Sequence, residues 1–390
     1  MLDKMVAQID RSLADFLKQI QGEYQLHLAD PILYQSIKDF VLRKGKRIRP
    51  ILFILSYMGY RKSRTEMSPS IYYVSTCVEL LHNFMLIHDD IIDRSDLRRG
   101  LPTMHRLLRK AAKTKEQDKL GSDLAIIVGD IIYASAFDAF LSINEDPKRK
   151  EEALRYFIRT AIFTAMGEFI DTLHGFQNVK QIKEKDVLLN YTLKTARYTF
   201  DCPLVVGAIL AGAGKKDIRY LSELGLLLGQ AFQIQDDIIG IFDTEKNIGK
   251  SILSDLAESK KTLLVCHAYR SLPTRQRKRF LSHFSKPKKN YQDLVAIRKI
   301  FLDGGSLDYT LQEIRKRLKR ANTILSRIKI GKKFLPHLEN CVAKLFEHSY
   351  LLGKQYNVDI KSTALKSRRV PSAPSKSSAN GYREETKTRP

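Results

Sequence analysis

Residues 81–105 read LHNFMLIHDDIIDRSDLRRGLPTMH. Asp89, Asp90 and Asp93 interrupt an otherwise apolar run, and Arg98 and Arg99 follow within six residues of the last. Adjacent carboxylates repel, and burying one without a counter-charge costs several kcal/mol, roughly. An apolar face carries such a cluster when a divalent cation or a strong positive partner offsets it. The two arginines supply forked donors suited to a phosphate. Carboxylates, a hard cation, phosphate and arginine together describe a magnesium–diphosphate site. His82, Asp89 and Asp93, spaced seven and four apart, fall on one face of a helix, with Phe84, Leu86, Ile87, Ile91 and Ile92 on the others.

A second acid pair stands in residues 232–240, FQIQDDIIG, again inside an apolar helical pattern, with Gln233 one turn before Asp236 and Asp237. Two such pairs predict two helices whose carboxylates face each other across a cavity. Magnesium prefers six oxygens and keeps several waters, so a few carboxylates and substrate phosphates complete its shell. Basic residues recur around these pairs. Gly45-Lys46-Arg47-Ile48-Arg49-Pro50 precedes an apolar helix, where backbone N–H groups and cationic side chains can hold an anion. Taken alone, that segment also reads as a solvated basic turn. Lys194 and Thr195 lie in LKTARYTF, and Lys250, Asp255 and Lys260 in NIGKSILSDLAESKKTLL.

Around these segments the pattern is helical almost throughout, with breaks near 29–31, 60–69, 110–122, 144–150, 212–216, 243–254, 286–290 and 303–306. No alternating strand pattern stands out, so the expected class is all-α. The 390 residues are 43% hydrophobic and 28% charged, enough for a large core. No run approaches 18 apolar residues, which argues against a membrane span. The amino terminus, MLDKMVAQID, is amphipathic and lacks a signal-peptide apolar region. Residues 1–360 are expected to form one helical domain, and 361–390, rich in Ser, Pro and Lys/Arg, a disordered basic tail ending in TKTRP without a prenylation box. Four scattered cysteines (Cys77, Cys202, Cys266, Cys341) fit reduced, buried thiols of a cytoplasmic protein and give no zinc pattern. The net charge of +24 admits an anionic membrane surface, diphosphate steering or nucleic acid. The basic runs lack aromatic interleaving and any nucleic-acid motif, so they read first as plain solvated surface, then as peripheral membrane contact or diphosphate steering, and last as nucleic-acid binding.

Taken in order from Gly45 to Thr262, these residues resemble the trans-prenyltransferase family, the all-trans isoprenyl diphosphate synthases (polyprenyl synthetases). The resemblance rests on D-D-x-x-D at Asp89–Asp93 with its R-R-G-x-P-T-x-H sequel (98–105), on Gly129-Asp130, on Lys194-Thr195 and on F-Q-x-x-D-D at 232–237. It implies an isoprenoid synthase-type helical bundle around a central apolar cavity, commonly homodimeric. It also implies head-to-tail condensation of isopentenyl diphosphate with an allylic diphosphate. Carried over by position, Lys46, Arg49, His82 and Arg99 match the isopentenyl diphosphate pocket, and Arg98 matches a contact to the allylic diphosphate. Asp89, Asp93 and Asp236 match the ligands of about three Mg²⁺ ions held with bound diphosphate, with Asp90 and Asp237 as nearby partners. Lys194, Gln233, Lys250 and Lys260 match further diphosphate contacts, and Thr195 lies beside the reacting centre. His82 and His105 are expected as anion or structural contacts rather than general bases. Asp89, Asp93, Lys194 and Asp236 are the expected catalytic set.

The chain also departs from the family. Gly240 stands where many members carry a third aspartate, with Asp243 as a candidate substitute. Leu253 and Ser259 replace loop glycines, which puts the loop's closure geometry in doubt, and Glu168-Phe-Ile-Asp171 stands for Gln-x-x-Asp. Residues one to two turns before Asp89 line the cavity for the growing chain. Phe84, with Met85 beside it and Leu81 one turn earlier, resembles a floor for products of about twenty carbons, geranylgeranyl diphosphate. A longer-chain synthase feeding quinones and a non-catalytic subunit of a heteromeric synthase remain as alternatives. A ferritin-like di-metal bundle would need Glu-x-x-His pairs, and none sits on an apolar helix here.

Overall fold

The computed structural model describes residues 1–61, 69–243, 256, 258–347, 349, 351, 355 and 356. Lys250, Leu253, Asp255 and the tail from 361 to 390 lie outside the described residues. The chain is helical as expected: α1 (Leu2–Glu23), α2 (Pro31–Val41), α3 (Ile48–Tyr60), α4 (Pro69–Val74), α5 (Thr76–Ile92), α6 (Met104–Leu108), α7 (Gln117–Leu141), α8 (Pro147–Phe176), α9 (Glu184–Asn190), α10 (Cys202–Leu210) and α11 (Lys215–Phe242). Helices Leu263–Ser271, Thr274–Phe284, Tyr291–Asp303, Ser306–Leu325 and Leu335–Leu345 follow.

Local chemistry sets several boundaries. Asp30 and Asp146 each accept a hydrogen bond from a first-turn N–H, at 2.8 and 3.0 Å, with proline next in both cases to open α2 and α8. Strand pairing among the described residues is confined to a hairpin, β1 (Leu97–Arg98) with β2 (Leu101–Pro102). Arg99 and Gly100 both take positive φ (55° and 75°) at its two-residue turn. This hairpin follows the first acid cluster and carries both arginines.

One continuous core runs from Leu2 to Phe346. In it α5 packs along α7, α10 against α3 and α8, and α11 between the 191–201 segment and Ser306–Leu325. All four cysteines are free and buried. The sequence pattern understated α7: among the described residues it is long and apolar enough to cross a membrane by composition. It carries Asp123, Asp130 and Asp138, however, and lies against α5 and α6 as part of the bundle.

Between α9 and α10 the backbone adopts the wider i→i+5 helix over Tyr191–Asp201, and at its end the Cys202 N–H reaches back to Arg197 O. Two glycines admit this broad segment. A Cβ on Gly167 of α8 would stand 2.3 Å from Lys194 N, and one on Gly229 of α11 would stand 2.2 Å from Ala196 Cα. Backbone meets backbone there, so any larger side chain would push the segment away.

Candidate active site

The first acid cluster sits at the carboxyl end of α5, with Asp93 as its C-cap. Lys194 places its ammonium among three carboxylates: Asp171 at 2.7 Å, Glu168 at 3.0 Å and Asp89 at 3.1 Å. Lys260 lies 2.6 Å from Glu258 and 3.2 Å from Asp93. Arg98 grips Asp90 through Nε (2.8 Å) and reaches Asp89 with Nη2 (3.2 Å). The consequences differ within one motif. Burial would raise the Asp89 carboxyl, but Lys194, Lys260 and Arg98 outweigh it and hold Asp89 below the ordinary carboxylate range. Burial prevails at Asp90, which is fully enclosed and pushed up to about 6 despite Arg98. It prevails also at Asp93, and at Glu168, pushed up to about 7.

On the second motif the two aspartates take different surroundings. Asp237 accepts from Gln233 Nε2 at 2.9 Å and from the Tyr191 hydroxyl, while Asp236 is exposed to the cavity. Asp243, the candidate substitute for the missing third aspartate, is buried at the end of α11 and is not among the cavity-lining residues. Ser259 keeps the left-handed backbone a glycine would favour (φ 53°) and accepts from Lys289 Nζ through its hydroxyl.

The basic pocket lies beyond His82. Arg49 stacks over the Tyr198 ring (4.5 Å) and donates to Thr199 Oγ1 at 2.8 Å. His82 packs near the same ring (5.9 Å). Burial, then Arg49, Arg99 and Arg98, drive the His82 pKa well down, so its imidazole is neutral at pH 7. The first arginine of the 45–50 turn is held differently. Arg47, 2% exposed and at φ 47°, turns into the core and pairs with Glu79 at 2.7 Å and Asp10 at 2.8 Å. Lys46, Arg47 and Arg49 all border the cavity, but Arg47 does so with its guanidinium already held by carboxylates.

Every described residue of the expected substrate and metal set lines one cavity of about 620 Å³ except Asp90, which lies behind it under Arg98. His105 is buried away from this lining, near the Thr103 hydroxyl. A second, apolar cavity of about 680 Å³ opens between α5, α7 and α8 and shares Met85, Asp89 and Glu168 with the first. Phe84 lines it, its ring 4.6 Å from Tyr133 of α7 and 4.6 Å from His88. Leu81 is buried in the core instead and is not among its lining residues. Tyr133, Tyr191 and Tyr198 are site residues that motif spacing did not reveal. A tyrosine at helical spacing in an apolar segment reads as core, and only tertiary packing distinguishes it.

Among the described residues no three acid or imidazole side chains converge as ready ligands of one ion. Asp89 Oδ1 is nonetheless buried at the cavity wall, with the Lys194 ammonium 3.1 Å away. With Asp93 and the cavity-facing Asp236 it offers hard oxygens on two helices. That donor set fits magnesium, which takes one or two carboxylates and fills its shell with water and phosphate oxygens.

The polyprenyl synthetase family model matches residues 30–301. The chain is 32% identical to a geranylgeranyl diphosphate synthase of Sulfolobus acidocaldarius over 86% of its own length and 96% of the relative's. It is 34% identical to a geranylfarnesyl diphosphate synthase of Aeropyrum pernix, over 73% and 84% of the two chains. Among solved structures, geranylgeranyl pyrophosphate synthase from Corynebacterium glutamicum, complexed with isoprenyl diphosphate and magnesium, superposes with a TM-score of 0.81 at 24% identity, covering 89% of this chain and 99% of that one.

Proposed function

The chain belongs to the polyprenyl synthetase family, and from that premise we propose that it condenses isopentenyl diphosphate with allylic diphosphates to give geranylgeranyl diphosphate. The observation that carries this reading is the meeting, in one cavity, of Asp89, Asp93 and Asp236 with Lys46, Arg49, His82 and Arg99, beside an apolar cavity lined by Phe84.

Arg98, Lys194 and Lys260 bind the allylic diphosphate, exchanging part of their carboxylate contacts for phosphate oxygens. Magnesium held by Asp89, Asp93 and Asp236 would supply the positive charge that makes this diphosphate a leaving group. Lys46, Arg49 and Arg99 hold the second diphosphate, and neutral His82 donates an N–H to it without competing for a proton. Breaking the allylic C–O bond leaves a cation, toward which Thr195 and Gln233 direct oxygen lone pairs. The isopentenyl double bond attacks that carbon, and the departing pyrophosphate takes the proton lost from the adduct. Phe84 and Met85 then bound the chain's growth. Purified protein incubated with Mg²⁺, isopentenyl diphosphate and a geranyl or farnesyl primer should release pyrophosphate and accumulate the twenty-carbon product, about four isoprene units, while a geranylgeranyl primer should release none. No pyrophosphate with any primer refutes condensation, and longer products refute only the length assignment.

The exposed stripe Ile158, Ile162, Met166, Phe169 and Leu173 on α8, of which Ile162, Phe169 and Leu173 also line the open apolar cavity, supports a homodimer, because apolar faces this continuous are rare on monomers. Light scattering should give twice the chain mass, and Ile162→Glu with Phe169→Glu should halve it. The basic surface, including exposed Arg275, Lys278 and Arg279, supports peripheral contact with anionic lipid. Truncation after Ile360 should weaken binding to phosphatidylserine vesicles at low salt while sparing turnover. Equal binding by the truncated form refutes a role for the tail.

A further inference from the structure

A hydrogen-bond chain links the Thr195 hydroxyl to the first turn of the helix Leu263–Ser271. Thr195 Oγ1 donates to Gln233 Oε1 at 2.5 Å, and Gln233 Nε2 donates to Asp237 Oδ1 at 2.9 Å. The Tyr191 hydroxyl donates to Asp237 Oδ2 and accepts from the Leu263 N–H at 3.0 Å. Leu263 opens the helix Leu263–Ser271, so this N–H belongs to the first turn, where donors have no partner within the helix. Tyr191 itself is buried, 5% exposed, at the start of the wide helix that also carries Thr195.

The direction of every bond in the chain follows from chemistry. Leu263 N–H can only donate, so the Tyr191 oxygen accepts it and its proton goes to the carboxylate. An ionised carboxylate only accepts, so Gln233 must turn its amide NH₂ toward Asp237 and its carbonyl toward Thr195. The Thr195 proton is then committed to Gln233. What Thr195 presents to the cavity is oxygen lone pairs, the polarity that favours a developing cation. Without the tyrosine O–H, Asp237 loses a donor, the Gln233 amide is less firmly fixed, and the threonine hydroxyl can rotate its proton toward the allylic carbon.

We infer that Tyr191 is a positioning residue for the reaction, setting the orientation of the Thr195 hydroxyl through Asp237 and Gln233. This rests on the reading above that Thr195 borders the allylic carbon. Tyr191→Phe keeps the ring and removes only the hydroxyl. It should lower kcat about tenfold, a smaller loss than the 10²–10³ of a direct contact, and leave both KM values within about twofold. The discriminating measurement is a double-mutant cycle with Thr195→Val, assayed well below the melting temperature of the least stable variant. In the Thr195→Val background, Tyr191→Phe should cause no further loss of kcat, because the hydroxyl it orients is gone. Equal, multiplicative losses in both backgrounds would overturn the inference, as would wild-type kcat in Tyr191→Phe. If the wild type turns over no primer, the proposed condensation fails and this inference falls with it; additive losses in an active enzyme sink the inference alone.

Discussion

Gly167→Ala places the smallest possible side chain where α8 touches the wide helix. The added Cβ would lie 2.3 Å from Lys194 N and 2.6 Å from Lys194 Cα, whereas ordinary contact begins near 3.4 Å. The obstacle is backbone on both sides, so no rotamer change relieves it, and the two segments must part by about 1 Å. Overpacking of this kind costs about 1–3 kcal/mol. The functional cost should be larger, because the segment that moves carries Lys194 Nζ, held 2.7 Å from Asp171 and 3.1 Å from Asp89. A misplacement of about 1 Å at a reacting centre can reduce turnover about 100-fold. Thermal melting gives the first quantity, and steady-state kcat with saturating isopentenyl diphosphate and farnesyl diphosphate gives the second. A Gly167→Ala enzyme with wild-type melting temperature and kcat would refute the claim that this glycine holds the lysine in place.

Phe84→Ala should lengthen products by at least one isoprene unit, and Phe84→Ala with Tyr133→Ala further still, because the two rings stand 4.6 Å apart in the same wall; mass spectrometry of the dephosphorylated alcohols reads this, and an unchanged distribution removes Phe84 as the floor. Glu168 is raised from 4.5 to about 7, so between those pH values the folded chain keeps a proton the unfolded chain has lost, and stability falls as pH rises through that window. Glu168→Gln should therefore gain unfolding free energy relative to the wild type from pH 5 to pH 8, on the order of 2 kcal/mol by urea unfolding, and a pH-independent difference would contradict the assignment. Arg47→Met should destabilise the fold by about 3–5 kcal/mol, measured by urea unfolding, since it strands Glu79 at 2% exposure. A loss below about 1 kcal/mol would mean that this pair is neutralised some other way.

The acid and basic residues of the site were legible in the sequence because their constraint is local. Asp89 and Asp93 one turn apart, or Gln233 before Asp236, carry their meaning in helical spacing alone. The all-α class was legible for the same reason. Arg47 shows where spacing stops helping: in Gly45-Lys46-Arg47-Ile48-Arg49 three cations look equivalent, and a left-handed backbone at Arg47 sends the middle one into the core. Tyr198 under Arg49 and Tyr133 against Phe84 are contacts between segments far apart in sequence, invisible to any short window. The apolar stripe on α8 was illegible for another reason. A 3.6-residue period reports that a face is apolar, not whether the chain's own core or something else covers it.

The wide helix at Tyr191–Asp201 makes this part of the enzyme sensitive to counting rather than to spelling. Its ends are fixed, one by α9 and the other by α10 packed on α3. Deleting a single residue between them would let the backbone settle into the ordinary α pitch and swing Lys194 and Thr195 around the axis by about 100°, out of the cavity. A point substitution at an outward-facing position would leave that phase intact. Over evolutionary time this stretch can therefore exchange many of its letters, yet an insertion or deletion here removes the lysine and the threonine from the chemistry together.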